Sequence, residues 1–185
     1  VAVAASCFAA SASAQQQPTD TAYTRQIRAL TSEPRFNTDL TDHLPADPRV
    51  PTPLATLGYV PGTVGRLSRV ADINRYFRAL DAASDRIRVF SLGTSDEDRE
   101  MLVAAIADPA TLANLDGFRE VTRRLADPRG LSDADARALI ARGKPIYYVT
   151  GSIHSSETGS PEMLMELAYR LVVDEGPMIR SIREH

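Results

Sequence analysis

Cysteine is nearly absent from this chain of 185 residues: Cys7 is the only one. A disulfide framework within the chain is therefore excluded, and stability has to come from core packing. A surplus of positive charge is also missing, with 21 Lys and Arg against 24 Asp and Glu and a formal net charge of -3. Nucleic-acid binding through a basic surface is disfavoured on that ground, and the scattered arginines read as solvated surface. No apolar run approaches the roughly 20 residues of a membrane span. Repeats and fibrous composition are lacking too. What remains, at 43% hydrophobic and 24% charged residues, is ordinary globular composition.

The first fourteen residues, Val1 to Ala14, carry no charge and are almost all small or apolar. They end in Ala12-Ser13-Ala14 before three glutamines, the pattern of a signal-peptide cleavage site. The initiator Met and the basic n-region are missing, so residues 1–14 read as a signal-peptide remnant and the chain as secreted or periplasmic. Cleavage after Ala14 leaves no cysteine. The alternative for Cys7, a lipid-acceptor cysteine, meets Ala4 where a large aliphatic residue is usual.

Seven of the 12 prolines fall between Pro18 and Pro61. X-Pro steps disfavour helix, so residues 15–61 are expected to form an extended arm leading into a domain over 62–185. Val70, Ile73, Phe77 and Leu80 then recur at helical spacing, predicting a helix from Ser68 to Ala83. Arg86 to Leu92 and Met101 to Ile106 read as two strands flanking a polar loop. Leu115, Phe118, Val121 and Leu125 predict another helix. A further one starts at Ser132, with Asp135 completing a capping box, and stops at Gly143.

Pro145 to Thr150 is β-rich without alternation, which predicts a central strand buried on both faces, with Tyr147 and Tyr148 in the packing. A helix follows within ten residues, capped by Ser160 with Pro161 first. Its expected buried stripe is Met163, Leu164, Leu167, Ala168, Leu171 and Val172. Strand, short loop and helix make an α/β unit.

Between that strand and that helix lies Gly151-Ser152-Ile153-His154-Ser155-Ser156-Glu157-Thr158-Gly159. Ligands of open α/β sheets bind just beyond the carboxyl ends of strands, the position of this loop. An imidazole and a carboxylate three residues apart can reach one tetrahedral Zn²⁺ if the loop turns between them, which makes His154 and Glu157 candidate metal ligands. The alternative is a surface loop whose His and Glu pair only with solvent or with each other, and the flanking strand and helix favour the first. Ser155 and Ser156 lack the Gly-x-Ser-x-Gly elbow of a hydrolase nucleophile and read as loop residues.

Tyr147 to Tyr169, centred on His154-Ser155-Ser156-Glu157, resembles the first zinc-binding motif of the zinc carboxypeptidases, peptidase family M14. Tyr76-Phe77-Arg78-Ala79-Leu80, Ser84-Asp85-Arg86 and Gly93-Thr94-Ser95 with Arg99 are similar to that family's opening helix, strand and turn, and Gly58-Tyr59-Val60-Pro61-Gly62-Thr63 resembles a bacterial branch of it. The likeness runs from about residue 58 to 183. It implies a mixed sheet of eight strands with helices on both faces, of which this chain is the front part. A zinc would be held by His154, Glu157 and a later His beyond residue 185, with a later Glu as base. It further implies hydrolysis of C-terminal peptide bonds, with peptides as substrates. Two alternatives share the fold and the motif: an amidohydrolase or deacylase acting on a small acyl-amino acid, and an inactive zinc-binding module. His43 and His185 are expected to be non-ligands. Two departures stand out. Ser156 replaces the Arg that touches substrate in the digestive enzymes, and Asp98-Arg99 replaces a Gly-Arg step, which is expected to disfavour a left-handed backbone there.

Overall fold

The computed structural model describes residues 17–185; the signal-peptide reading of residues 1–14 and Cys7 lie outside the described residues. The α/β class holds: eight α-helices accompany one two-stranded antiparallel sheet among the described residues. In chain order these are α1 (Thr21–Leu30), α2 (Pro53–Leu57), α3 (Val70–Ala83), β1 (Ile87–Thr94), β2 (Glu100–Ile106), α4 (Pro109–Ala113), α5 (Leu115–Ala126), α6 (Asp133–Arg142), α7 (Gly159–Val173) and α8 (Pro177–Glu184).

The expected strand pair is a hairpin, registered from Ile87 opposite Ile106 to Thr94 opposite Glu100, with a bulge between Ser91 and Gly93. Its turn contains Asp98 at φ 56. The expectation that Asp98 would avoid the left-handed region is thus corrected. Asp is among the few non-glycine residues that tolerate that region, because its short side chain hydrogen-bonds locally. In the tight turn Asp98 N–H also donates to Ser95 O at 2.9 Å. The cap at Ser132 is as expected, its hydroxyl accepting from Asp135 N–H at 3.2 Å, and α6 ends at Gly143.

Residues 17–61 are not an extended arm. Asp20 caps α1 by accepting from Tyr23 N–H at 2.8 Å, and Tyr23 and Ile27, one turn apart, face the core. Leu44 and Val50 are buried with them. The prolines stop helices without preventing burial: Pro53 opens α2 at a position where its missing N–H costs nothing. The apolar face of α1 outweighs the local preference for extension.

The helix at the centre of the core is α7. Met165, Ala168, Tyr169, Val172 and Val173 are buried at helical spacing, against Tyr23, Tyr76, Leu80 and Ile87 of the same cluster. The stripe is therefore rotated from the expected one: Ala168 and Val172 remain, Met163 is exposed, and Leu164, Leu167 and Leu171 are half-buried. A helix apolar on several faces does not fix from sequence which face is covered first.

The largest correction concerns Pro145 to Thr150. The segment forms no ladder, and Ile146, Tyr147 and Tyr148 are 76%, 93% and 71% exposed. A strand covered on both faces needs neighbours for its backbone N–H and C=O groups. Among the described residues the only sheet is the β1–β2 hairpin, and it does not pair with this segment. The segment is instead held at its two ends. Lys144 Nζ donates to Thr111 Oγ1 at 2.6 Å, to the Glu184 carbonyl at 2.6 Å and to Asp108 Oδ2 at 3.1 Å. At the far end Ser152 N–H donates to Ser160 Oγ at 2.8 Å.

Candidate metal centre

The loop from Gly151 to Thr158 rests on the first turn of α7. A Cβ added at Gly151 would lie 2.9 Å from Leu164 Cδ1 and 3.1 Å from the backbone nitrogen of Pro161, so this close approach is where the loop needs a glycine. Ser152 follows at φ 56, the left-handed conformation that turns the chain. Its hydroxyl donates to Glu157 O at 2.8 Å, and Ser160 Oγ reaches the same carbonyl at 3.3 Å. Glu157 N–H donates to His154 O at 3.0 Å, closing a tight turn around the two serines between them.

Ser160 is not the helix cap that the sequence suggests. It lies inside the first turn, and its hydroxyl serves the loop instead. The N-cap is Thr158, which makes no side-chain cap hydrogen bond. Sequence reasoning missed Ser152 and Ser160 as the braces of this loop. Their signal was available: two serines flanking the His-x-x-Glu run, each short enough to bond a neighbouring backbone.

His154 and Glu157 are brought together. Nδ1 of His154 lies 2.9 Å from Oε1 of Glu157, and the His154 backbone N–H donates to Oε2 at 3.3 Å. The side chains are 75% and 51% exposed, so both donor atoms face solvent rather than the core. Two donors of one tetrahedral zinc, each at about 2.0 to 2.2 Å, stand about 3.4 Å apart. The observed pair is hydrogen-bonded directly, so accepting the ion would require the shared proton to leave and both donor atoms to turn toward a common point, besides an opening of about 0.5 Å. Imidazole nitrogen plus carboxylate oxygen is also a donor set that zinc accepts. The pair fits as two ligands and is not a complete site: among the described residues no group of three His, Cys, Asp or Glu could hold a metal. His43 pairs with Asp42 at 2.7 Å, and His185 Nδ1 lies 3.0 Å from the Ser181 carbonyl on α8. Neither joins His154.

No helix among the described residues is long and apolar enough to cross a membrane. No curated protein and no solved structure matches the chain. A sequence model of the zinc carboxypeptidase family, peptidase M14, matches residues 73–185, from α3 through the candidate loop to α8 and the final residue. That match spans more than half of the chain and includes the hairpin, the His154–Glu157 loop and the helix that carries it; the chain belongs to the zinc carboxypeptidase (peptidase M14) family.

Proposed function

We propose that His154 and Glu157 are the first two zinc ligands of a metallocarboxypeptidase active site, completed by a histidine beyond residue 185. The complete enzyme would hydrolyse C-terminal peptide bonds. The observation that carries this reading is the convergence of Nδ1 and Oε1 to 2.9 Å on an exposed loop braced against α7, inside the segment that matches the family.

In this reading the proton that now lies between His154 Nδ1 and Glu157 Oε1 would give way to zinc, leaving a ring nitrogen and a carboxylate oxygen as its two ligands. The two share the work of orientation with Ser152 and Ser160, which hold the turn between them. Bound zinc supplies the Lewis acidity that polarises a scissile carbonyl and lowers the pKa of a water. A general base, expected to be a glutamate, would be supplied together with the third ligand from outside residues 1–185. Residues 1–185 expressed alone are accordingly expected to release no amino acid from any peptide. The signal-like residues 1–14 go with a secreted or periplasmic setting.

The test is made on the complete gene product, with three substrates: a peptide bearing a free C-terminal carboxylate, the same peptide amidated, and an N-acyl amino acid. Chelator-sensitive release of the C-terminal residue from the first alone is the expected result. Cleavage of the N-acyl amino acid alone would transfer the chain to the deacylase reading.

A further inference from the structure

The first turn of α7 grips two loops at once. On one side Ser160 and Pro161 carry the Gly151–Glu157 loop. On the other, Glu162 is only 7% exposed, and its two carboxyl oxygens each accept a backbone N–H: Oε2 from Gly62 at 2.8 Å and Oε1 from Ser68 at 2.8 Å. Those donors lie 100 and 94 residues earlier in the chain. The segment between them is itself tied down. Thr63 donates to Val60 O at 2.6 Å, Val60 is buried, and Tyr59 Oη lies 3.0 Å from Ser68 Oγ.

This clamp matters because α7 starts without the usual device. Its N-cap Thr158 makes no side-chain bond, and Pro161 has no N–H to give. With no cap to fix its first turn, the helix start is held by what Glu162 and Ser160 reach. A carboxyl group aligned with two N–H donors at a helix N-terminus is favoured by charge-assisted bonding and by the helix dipole together. Gly62, at φ 85, lets the earlier chain turn its N–H toward that carboxyl.

Resting on the zinc-ligand reading above, we propose that Glu162 is a positioning residue for the metal centre. It fixes the helical turn on which His154 and Glu157 rest, so that residues 58–68, which lie outside the segment matched by the family, set the geometry of the ligand pair. Both carboxyl oxygens of Glu162 are taken up by the Gly62 and Ser68 N–H groups, so its action on the ligand pair would run through the helical turn.

The experiment compares the complete protein with Glu162→Gln and with Tyr23→Phe. The glutamine keeps size but sets an amide NH₂ against one of the two N–H donors, leaving a buried donor without an acceptor. Tyr23→Phe removes a hydroxyl that reaches Glu166, one turn further along α7, and serves as the control for a change that is merely structural. Two quantities are read: amide hydrogen exchange resolved at Ser152 and Glu157, and zinc affinity by competition with a chelator. Glu162→Gln is expected to accelerate exchange at both amides and to weaken zinc binding at least tenfold, while Tyr23→Phe changes neither. Unchanged exchange at Ser152 and Glu157 with zinc affinity within twofold of the parent would overturn the proposal, whatever happens to thermal stability. If the parent binds no zinc, the ligand reading fails, and the exchange data decide the positioning role alone. Should Glu162→Gln fail to fold, Glu162→Asp, which keeps the acceptor and shortens its reach, takes its place: faster exchange with weaker zinc binding supports the positioning role, and no change in either overturns it.

Discussion

The two sides of α7 are built to different standards. Along its middle and C-terminal turns, the helix is locked to the N-terminal segment. Arg170 donates to Glu166 at 2.9 and 3.1 Å, to Leu40 O at 3.0 Å and to Thr41 O at 3.2 Å, and Gln17 bonds Val173 O and Glu175 N–H at 2.9 Å each. Before its first turn, residues 145–158 run exposed, apart from half-buried Gly151, between two anchors, Lys144 and Ser160. The difference separates scaffold from site. Burial and long-range hydrogen bonds make the helix a rigid base, and the candidate ligands are left at the solvent edge, open to approach from outside.

Breaking the locked side is expected to have the largest effect. Arg170→Ala leaves Glu166 and two carbonyls without their buried partner and is expected to cost about 3 kcal/mol, measured by urea unfolding at pH 7. The anchor of the exposed side gives a smaller, pH-dependent effect. Asp108 is held at about 2, below its ordinary 3.8, chiefly by the hydrogen bond from the Thr111 hydroxyl and further by Lys144. A lowered folded pKa contributes stability that is fully present above the ordinary value and is lost as pH falls toward the folded one. Urea midpoints should therefore drop between about pH 4 and pH 2, and that part of the slope should vanish in Asp108→Asn. The smallest effect is expected within the exposed segment itself: Tyr147→Ala should change stability by less than about 0.5 kcal/mol. A loss of about 2 kcal/mol or more there would mean that Tyr147 is packed, and the contrast between the two sides would collapse.

Much of the fold was legible wherever the signal is local. The hairpin declares itself by two apolar runs around Thr94-Ser95-Asp96-Glu97-Asp98-Arg99, α6 by its Ser132 cap and Gly143 stop, and α3 by the spacing from Val70 to Leu80. What was not legible depends on partners distant in sequence. Helix α1 forms because Tyr23 and Ile27 have a core to enter, one built by residues from Leu44 through Ile87 to the α7 face from Met165 to Val173, more than a hundred positions later. Residues 145–150 have strand composition, and composition does not create the neighbours that a ladder requires. The candidate site divides in the same way. His154 and Glu157 were picked out by their spacing, by the helix that follows and by a preceding strand that does not form; what the structure adds is that the two side chains meet. The role of Glu162 was not readable, because nothing local points to the Gly62 and Ser68 donors that define it.

Whether His154 and Glu157 are zinc ligands is decided by the metal content of the complete protein. Parent protein and His154→Ala are dialysed against the same zinc buffer and analysed for metal per chain. One zinc in the parent and essentially none in the variant is the expected result. Equal zinc in the two, with the variant folded, would remove His154 from the metal centre and the proposed site with it.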